Sequence, residues 1–244
     1  MLVDGKKIAE EIIAGLGASL RGKRLGIVVG VQDSATDSFV KIKSRVAARL
    51  GVAVVRGELE ELLKTCDGVI VQLPISNSEA LLAALPPDKD VDALGPAPLV
   101  RTPVAGAIAE ILRLHEVEPR GKKSVVIGAG RLVGAPAAKL LRELGADVSI
   151  ITQAHGSLEQ LKVADIVVLG AGEPGLIKPE MLKHGVVLID AGTSEQGGKL
   201  AGDADPSCAE VCSVFTPVPG GVGPIAVAMI FKNLFELSKK NSGR

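Results

Sequence analysis

The sequence predicts an α/β protein of two domains, each built on a parallel β-sheet with helices on both faces. Three observations carry this. Short apolar runs alternate with amphipathic helical segments along the 244 residues. The strand runs are apolar at nearly every position, as in strands buried on both faces, rather than at every second one. A polar stretch from Glu116 to Lys123, with Pro119 and Gly121, divides the alternation into two halves, and a chain of this length commonly splits in that way.

Ile8, Ile12, Ile13, Leu16 and Leu20 recur at helical spacing, so an amphipathic helix starts near Gly5. Leu25 to Val31 is an apolar run of strand type. Val40, Val46, Ala47 and Leu50 place a helix over Thr36 to Leu50, and Gly51 suits its C-terminal stop. Val52 to Val55 is the second strand, Glu58 to Lys64 a short helix, and Gly68 to Gln72 the third strand. A helix at Leu81 to Leu85 precedes a Pro- and Asp-rich stretch, Pro86 to Pro103, and a helix from Val104 to His115 closes this half. The second half reads as strand Ser124 to Ile127, helix Leu132 to Leu144, strand Val148 to Ile151 and helix Leu158 to Val163. Strands Ile166 to Leu169 and Val186 to Ile189 follow. A loop dense in Pro and Gly then leads into a long helix, Val222 to Leu237, with Lys239 to Arg244 expected to fray. The predicted domains are residues 1–118 and 119–224, with a C-terminal helix over 225–244.

Composition removes several classes of partner. Lys plus Arg equals Asp plus Glu at 28 each, with no basic stripe, so nucleic acid and anionic membrane are not expected. No 18-residue apolar run suits a membrane span, and the N-terminal residues lack a signal-peptide pattern. Cys66, Cys208 and Cys212 are odd in number and lack CxxC spacing, which fits thiols in a reducing compartment. A soluble, cytoplasmic protein is expected, and nothing in the pattern asks for a metal. The chain has four Phe and neither Tyr nor Trp, so a ring stacked on a flat ligand must come from Phe or His.

Gly128-Ala129-Gly130-Arg131-Leu132-Val133-Gly134 follows a predicted strand and opens a predicted helix. Glycines there let the backbone turn tightly and approach a pyrophosphate seated on the helix N-terminus. The third glycine falls one place later than in GxGxxG, and a plain tight turn is the other reading. NAD enzymes place an acid at the end of the next strand for the ribose 2′-hydroxyl; here that strand ends in Thr152-Gln153. The missing acid, with Arg131 available, points to NADP, with NAD as the alternative.

Phe39 and Lys43 share a face of one helix, four residues apart, while Lys41 points elsewhere. Spacing allows either a lysine stem packed on a ring or a catalytic amine beside a stacking platform. Gln72 ends a strand, and strand C-termini face the ligand crevice of open α/β sheets. Lys89-Asp90-Val91-Asp92 sits in a long loop and reads, alone, as solvated surface. Thr216-Pro217-Val218-Pro219-Gly220-Gly221-Val222-Gly223-Pro224 mixes fixed and free dihedrals at a helix start, which suits a rigid loop in close approach to a ligand.

Further pieces join these in order: Asp4-Gly5-Lys6, Asp67-Gly68, Thr102-Pro103, Val133-Gly134 with Pro136, Ala164-Asp165-Ile166, Ile189-Asp190 with Gly192, and Gly202-Asp203. With them, nearly the whole chain resembles the bifunctional methylenetetrahydrofolate dehydrogenase/methenyltetrahydrofolate cyclohydrolases. The resemblance implies an N-terminal α/β folate-binding domain and a Rossmann-type parallel-sheet domain with a cleft between them, the last helix returning to the first domain. It implies an enzyme of one-carbon metabolism that oxidises 5,10-methylenetetrahydrofolate with NAD(P) and hydrolyses the product to 10-formyltetrahydrofolate, commonly as a homodimer. Lys43, Gln72 and Asp92 fall on the family's catalytic positions. Phe39, Asp92, Pro219, Gly220 and Gly221 fall where the family meets folate. Gly128, Ala129, Gly130, Arg131, Val133, Gly134, Thr152, Gln153 and Thr193 fall where it meets the dinucleotide.

The chain departs from the family in places. Phe39 stands where a tyrosine is usual, Gly128-Ala129-Gly130 where Gly-Arg-Ser is, Thr152-Gln153 where His-Ser is, Ala93 where a glycine is, and Arg101 where a cysteine is. The chain is also shorter than most members. Two other readings stand beside this one: another Rossmann oxidoreductase of shikimate-dehydrogenase type, and a non-catalytic folate- or nucleotide-binding homologue.

Overall fold

The computed structural model describes residues 1–30, 34–196 and 199–242, without the side chains of 34–36, 39, 195, 196, 199, 241 and 242. The chain forms two compact units. The first is Ala9–Pro103 with Val227–Arg244; the second is Met1–Ile8 with Val104–Ala226.

The first unit holds a three-stranded sheet in the order β2-β1-β3, with β1 (Arg24–Val29), β2 (Ala53–Arg56) and β3 (Gly68–Gln72) all parallel. Helices α2 (Ser34–Leu50) and α3 (Leu59–Thr65) make the crossovers, and α4 (Ser78–Ala83) follows β3. The strands after β1 lie on opposite sides of it, which opens a crevice between the C-terminal ends of β1 and β3. Val29 pairs with Gln72 at that end. The core is almost wholly aliphatic: Leu25, Ile27 and Ile70 from the sheet meet Val40 and Ala47 of α2. Ile13 and Leu16 of α1 (Gly5–Leu16) and Phe231, Leu234 and Leu237 of α7 (Val222–Ser242) complete it.

Asn233 of α7 is buried, and its amide donates to the carbonyls of Val91 and Arg101, both at 2.8 Å. One side chain thereby satisfies two backbone acceptors that no regular element serves.

The second unit holds a five-stranded parallel sheet in the order β10-β7-β6-β4-β5. Its strands are β4 (Lys123–Ile127), β5 (Asp147–Ile151), β6 (Ile166–Leu169), β7 (Val186–Asp190) and β10 (Cys212–Phe215). α5 (Pro103–Leu114) leads in, α6 (Gly134–Glu143) joins β4 to β5, and a hairpin of β8 (Ser194–Gln196) and β9 (Lys199–Ala201) follows β7. The switch point lies between β4 and β6, since β5 and β6 flank β4. The N-terminus adds to the far edge: Leu2 bridges Phe215 in parallel, and the Val3 amide donates to the Phe215 carbonyl at 2.9 Å. Asp4 then caps α1 by accepting from the Lys7 amide at 3.0 Å. A Cβ on Gly5 would run into the Gly221 carbonyl, which explains the Asp4-Gly5 pair.

The structure differs from the sequence reading in several elements. Leu158–Val163 is a 3-10 helix, its six residues being tightened after the Ser157 cap, whose hydroxyl accepts from the Glu159 amide. α6 begins at Gly134 rather than Leu132, because the chain must leave the glycine loop before helical bonding starts. α7 runs to Ser242, past the expected end at Leu237. Strand β10 and the β8–β9 hairpin were not expected; Cys212-Ser213-Val214-Phe215 is too short and mixed to read as a strand without its partner β7.

Asn233→Leu keeps the volume near Val91 but removes both donors. Unfolding by urea should show a loss of at least about 1–3 kcal/mol, the cost of stranding a buried acceptor. An unchanged midpoint would mean that the two carbonyls find water.

Candidate active site

Lys43 lies on the third turn of α2 with its side chain 8% exposed. Its ammonium donates to Gln72 Oε1 at 2.5 Å. Gln72, at the C-terminal end of β3, donates its own amide to the Leu73 carbonyl at 3.0 Å, and this turns Oε1 toward the lysine. Leu73-Pro74 is a cis peptide. Burial holds the Lys43 pKa below its ordinary 10.5, and the nearby Asp92 carboxylate pulls it partly back. Burial raises the pKa of Asp92 in turn, while Lys43 lowers it and Asp90 raises it. The structure thus brings Lys43, Gln72 and Asp92 together. Lys41 is exposed on another face. Phe39 lies one turn before Lys43, and its side chain falls outside the described residues.

The Lys89–Asp92 loop is not the solvated surface its charges suggest. Lys89 Nζ donates to the Leu63 and Cys66 carbonyls at the end of α3. Asp90 is 1% exposed, accepts from the Gly95 amide at 2.7 Å, and is raised in pKa by burial. Val91 is fully buried in the core. Three of the four residues are committed to holding the loop, which leaves Asp92 for other work. Ala93 follows with φ +56°, a left-handed conformation that explains why glycine is usual there.

In the second unit the glycine loop occupies the switch point. Gly128 has φ +94°, and a Cβ there would strike the Gly170 carbonyl beyond β6. Gly134 opens α6 so close to the Gly128 carbonyl that a Cβ would overlap it. Gly130 has no atom within 4 Å of its Cβ position; with Ala129 and Arg131 it is exposed, while Val133 is half-buried. A backbone bare of side chains, next to the first turn of a ten-residue helix, fits a dinucleotide's phosphates. The second strand's end closes in a turn, with Thr152 and His155 exchanging backbone bonds at 2.8 and 3.2 Å. Gln153 lies exposed in that turn, and no carboxylate stands there. Thr193 is exposed between β7 and β8.

Pro219, Gly220 and Gly221 sit between β10 and α7, with Val218-Pro219 cis and Gly220 at φ +107°. Thr216 anchors the loop: its buried hydroxyl accepts from the Asp190 amide at 2.7 Å and donates to the Asp190 carbonyl at 3.2 Å. Asp190 itself accepts from the amides of Gly192 and Ala204 at 2.9 and 2.8 Å. Its burial outweighs these bonds, and its pKa is pushed up to about 6. Sequence reasoning assigned no role to Asp190, Asp203 or Thr216; the two acids appear there only as matching pieces, without a sign that they are buried. Among the described residues no group of three His, Cys, Asp or Glu is placed to hold a metal, the three cysteines are free and buried, and no helix is long and apolar enough to cross a membrane.

An open parallel sheet with a glycine loop at its switch point, in a chain whose other unit holds a buried amine near a carboxylate, defines an α/β dinucleotide-binding protein. Residues 102–242 match the profile of the tetrahydrofolate dehydrogenase/cyclohydrolase NAD(P)-binding domain. The chain is 32% identical to the bifunctional protein FolD of Staphylococcus aureus, across 99% of this chain and 98% of that one. Among solved structures, it is similar to the bifunctional FolD of Campylobacter jejuni (27% identity, 99% of both chains, TM-score 0.90). It is similar also to the Trypanosoma brucei FolD complexed with NADP and an inhibitor (29% identity, 100% and 99% covered, TM-score 0.91). The chain belongs to the bifunctional methylenetetrahydrofolate dehydrogenase/methenyltetrahydrofolate cyclohydrolase family. The shikimate-dehydrogenase-type reading is thereby set aside.

Two glycines of the Gly128–Gly134 loop should behave differently. Gly134→Ala gains helix propensity of about 1 kcal/mol, yet its Cβ meets backbone, so we expect a net loss of about 1–3 kcal/mol. Gly130→Ala should leave the melting temperature unchanged and weaken nucleotide binding instead. Equal melting of all three proteins would rule out the packing role of Gly134.

Asp190 predicts a pH dependence of known sign. Its folded pKa of about 6 exceeds the unfolded 3.8, so between these values the folded state holds the extra proton. Its contribution to stability therefore falls as pH rises from about 4 to about 6, by roughly 1.4 kcal/mol per unit, and is flat above. The unfolding free energy of wild type minus that of Asp190→Asn, measured from pH 4 to 8, isolates this group. A difference that grows with pH would contradict the assignment.

Proposed function

We propose that this protein oxidises 5,10-methylenetetrahydrofolate to the methenyl form with NADP, then hydrolyses that product to 10-formyltetrahydrofolate. The observation that carries this reading is the buried Lys43 amine, hydrogen-bonded to Gln72 and facing the charge of Asp92. In the family's reaction a proton must move during ring opening, and an amine lowered in pKa by burial is better suited to move it than an exposed lysine.

Asp92 accepts the paired N–H donors of the pterin's amino-pyrimidine edge, as a carboxylate accepts from a guanidinium. Phe39 supplies the stacking ring, and Pro219, Gly220 and Gly221 a close-approach wall. Gly128, Ala129, Gly130, Arg131, Val133, Gly134, Thr152, Gln153 and Thr193 hold the dinucleotide. When bound, its nicotinamide supplies the hydride acceptor. Lone pairs on the substrate's own nitrogens drive hydride loss, so for this step the chain contributes alignment alone.

Hydrolysis asks more. Water adds to the methenyl carbon and neutral Lys43 takes one of its protons. The resulting ammonium returns that proton to N5 as the carbon–N5 bond breaks, and the carbinol's remaining O–H proton leaves to solvent as the formyl C=O forms. Gln72 Oε1 accepts from the amine and fixes its position. Within this proposal residues 1–118, with the helix over 225–244, serve the folate and residues 119–224 the nucleotide. NADP is preferred to NAD because no acid meets the ribose 2′ position after β5. A cytoplasmic homodimer completes the reading.

Lys43→Met keeps the stem and removes the amine. Methenyl hydrolysis should fall by about 10²–10⁴-fold, toward the spontaneous rate, and methenylfolate should accumulate. Dehydrogenase activity should fall much less, and Lys41→Met should alter neither. In wild type the hydrolysis rate should rise with pH through a limb below the ordinary lysine range, absent from Lys43→Met. A two-wavelength assay follows reduced nicotinamide and methenylfolate separately; wild-type hydrolysis in Lys43→Met would sink the assignment.

A further inference from the structure

We propose that Asp203 is the positioning residue of the two loops that follow β6 and β7, and so sets the affinity for the dinucleotide. This rests on the nucleotide-binding part of the reading above and adds a residue to it.

Asp203 is fully buried and lies just after β9. Its Oδ2 accepts from the backbone amides of Ala171 and Gly172 at 2.7 and 3.1 Å, and its Oδ1 from that of Glu173 at 2.8 Å. Three successive amides turned on one anion make a nest, here filled from within the chain by a carboxylate. Those amides belong to the loop after β6, whose first residue, Gly170, abuts Gly128. The loop after β7 is held by the same group. Gly192 sits against the Asp203 carboxylate so closely that a Cβ would overlap it, and Thr193 comes next. Ser194 closes the set, its hydroxyl donating to the Gly172 carbonyl at 2.8 Å. The backbone of Asp203 also takes part, accepting from the Ile177 amide at 3.0 Å.

The placement matters because of the sheet order. β6 and β7 lie on one side of β4, and their C-terminal loops border the switch point at which an open α/β sheet takes its ligand. Loops without regular structure sample many conformations unless their amides are satisfied. A buried carboxylate with three amide donors removes that freedom before the nucleotide arrives. Binding affinity scales with the population of the competent loop, so weakening this anchor raises the dissociation constant without touching the Lys43 cluster.

Asp203→Asn is the sharpest variant, since its amide nitrogen must face a backbone donor. Ser194→Ala removes the tie to Gly172 and buries no new polar group. Two readouts are needed: the NADP dissociation constant by titration calorimetry, and methenylfolate hydrolysis without nucleotide. We expect NADP binding to weaken about tenfold or more in Asp203→Asn and a few-fold in Ser194→Ala. Hydrolysis should stay within about twofold of wild type in both, because it calls on no nucleotide. Unchanged NADP affinity in both variants overturns the proposal, as does a parallel loss of hydrolysis and affinity, which would make Asp203 a general scaffold residue. Should Asp203→Asn fail to fold, an unchanged dissociation constant in Ser194→Ala is enough to reject it. A wild type that binds NADP but turns over no folate would reject the functional reading and leave the Asp203 comparison standing.

Discussion

A charge taken out of water costs several kcal/mol unless its lone pairs and protons are met inside the protein. The structure uses this cost repeatedly. Lys89 spends its ammonium on two carbonyls at the end of α3, and Asp90 accepts from the loop it begins. Asp190 accepts from Gly192 in its own turn and from Ala204 beyond β9, and Asp203 from the amides after β6. In each case a residue that cannot be left unpaired holds a loop that would otherwise be loose. Lys43 differs, because its partner is the side chain of Gln72 and its charge is not fully compensated. The same desolvation that fastens loops elsewhere here lowers the pKa of an amine.

Close backbone packing is the second device, and it depends on the first. Gly128, Gly134 and Gly192 lie where a side chain has no room, so each brings two chain segments into direct contact. Such contacts hold only if the segments are already fixed. Asp203 supplies that at Gly192, and the β4–β6 pairing supplies it at Gly128. Gly130 shows the contrast: its carbonyl accepts from the Ala135 amide at 3.0 Å, but no atom lies within 4 Å of where its Cβ would be, so packing within the chain does not require a glycine there. In this loop the two kinds of glycine are separated by only a few residues.

Much of this was legible in the sequence. The strand–helix alternation gave the sheets, because strands buried on both faces leave continuous apolar runs. Lys43 and Gln72 were picked out through the family resemblance; helix spacing alone allowed either a packed lysine stem or a catalytic amine, and the strand end placed Gln72 only beside a ligand crevice. The unpredicted parts have a common cause. β10 is a four-residue strand stabilised by β7, and its pattern means nothing without that neighbour. The roles of Asp190 and Asp203 depend on amides distant in sequence, 14 residues for Ala204 and Asp190 and 32 for Ala171 and Asp203. Periodicity reports local geometry, whereas satisfaction of a buried acid is decided by tertiary contacts. The left-handed φ of Ala93 was likewise hidden, since alanine at that position gives no signal of the turn it makes.

The two proposed reactions make unequal demands, which explains how one lysine can serve a bifunctional enzyme. Hydride loss from the methylene carbon is driven by the substrate's own nitrogens, and a general base would add nothing to it. Ring opening needs a proton removed and then returned, so the group involved must be competent as both base and acid. An ordinary lysine is too strongly protonated near neutrality to serve as the base, while an anionic neighbour favours the protonated form that the acid step needs. Burial lowers the Lys43 pKa, and the Asp92 carboxylate raises it again. If Asp92 also binds the pterin, its charge is partly neutralised when substrate arrives, and the balance at Lys43 shifts further toward the neutral amine. Substrate binding then readies the base for the step that needs it.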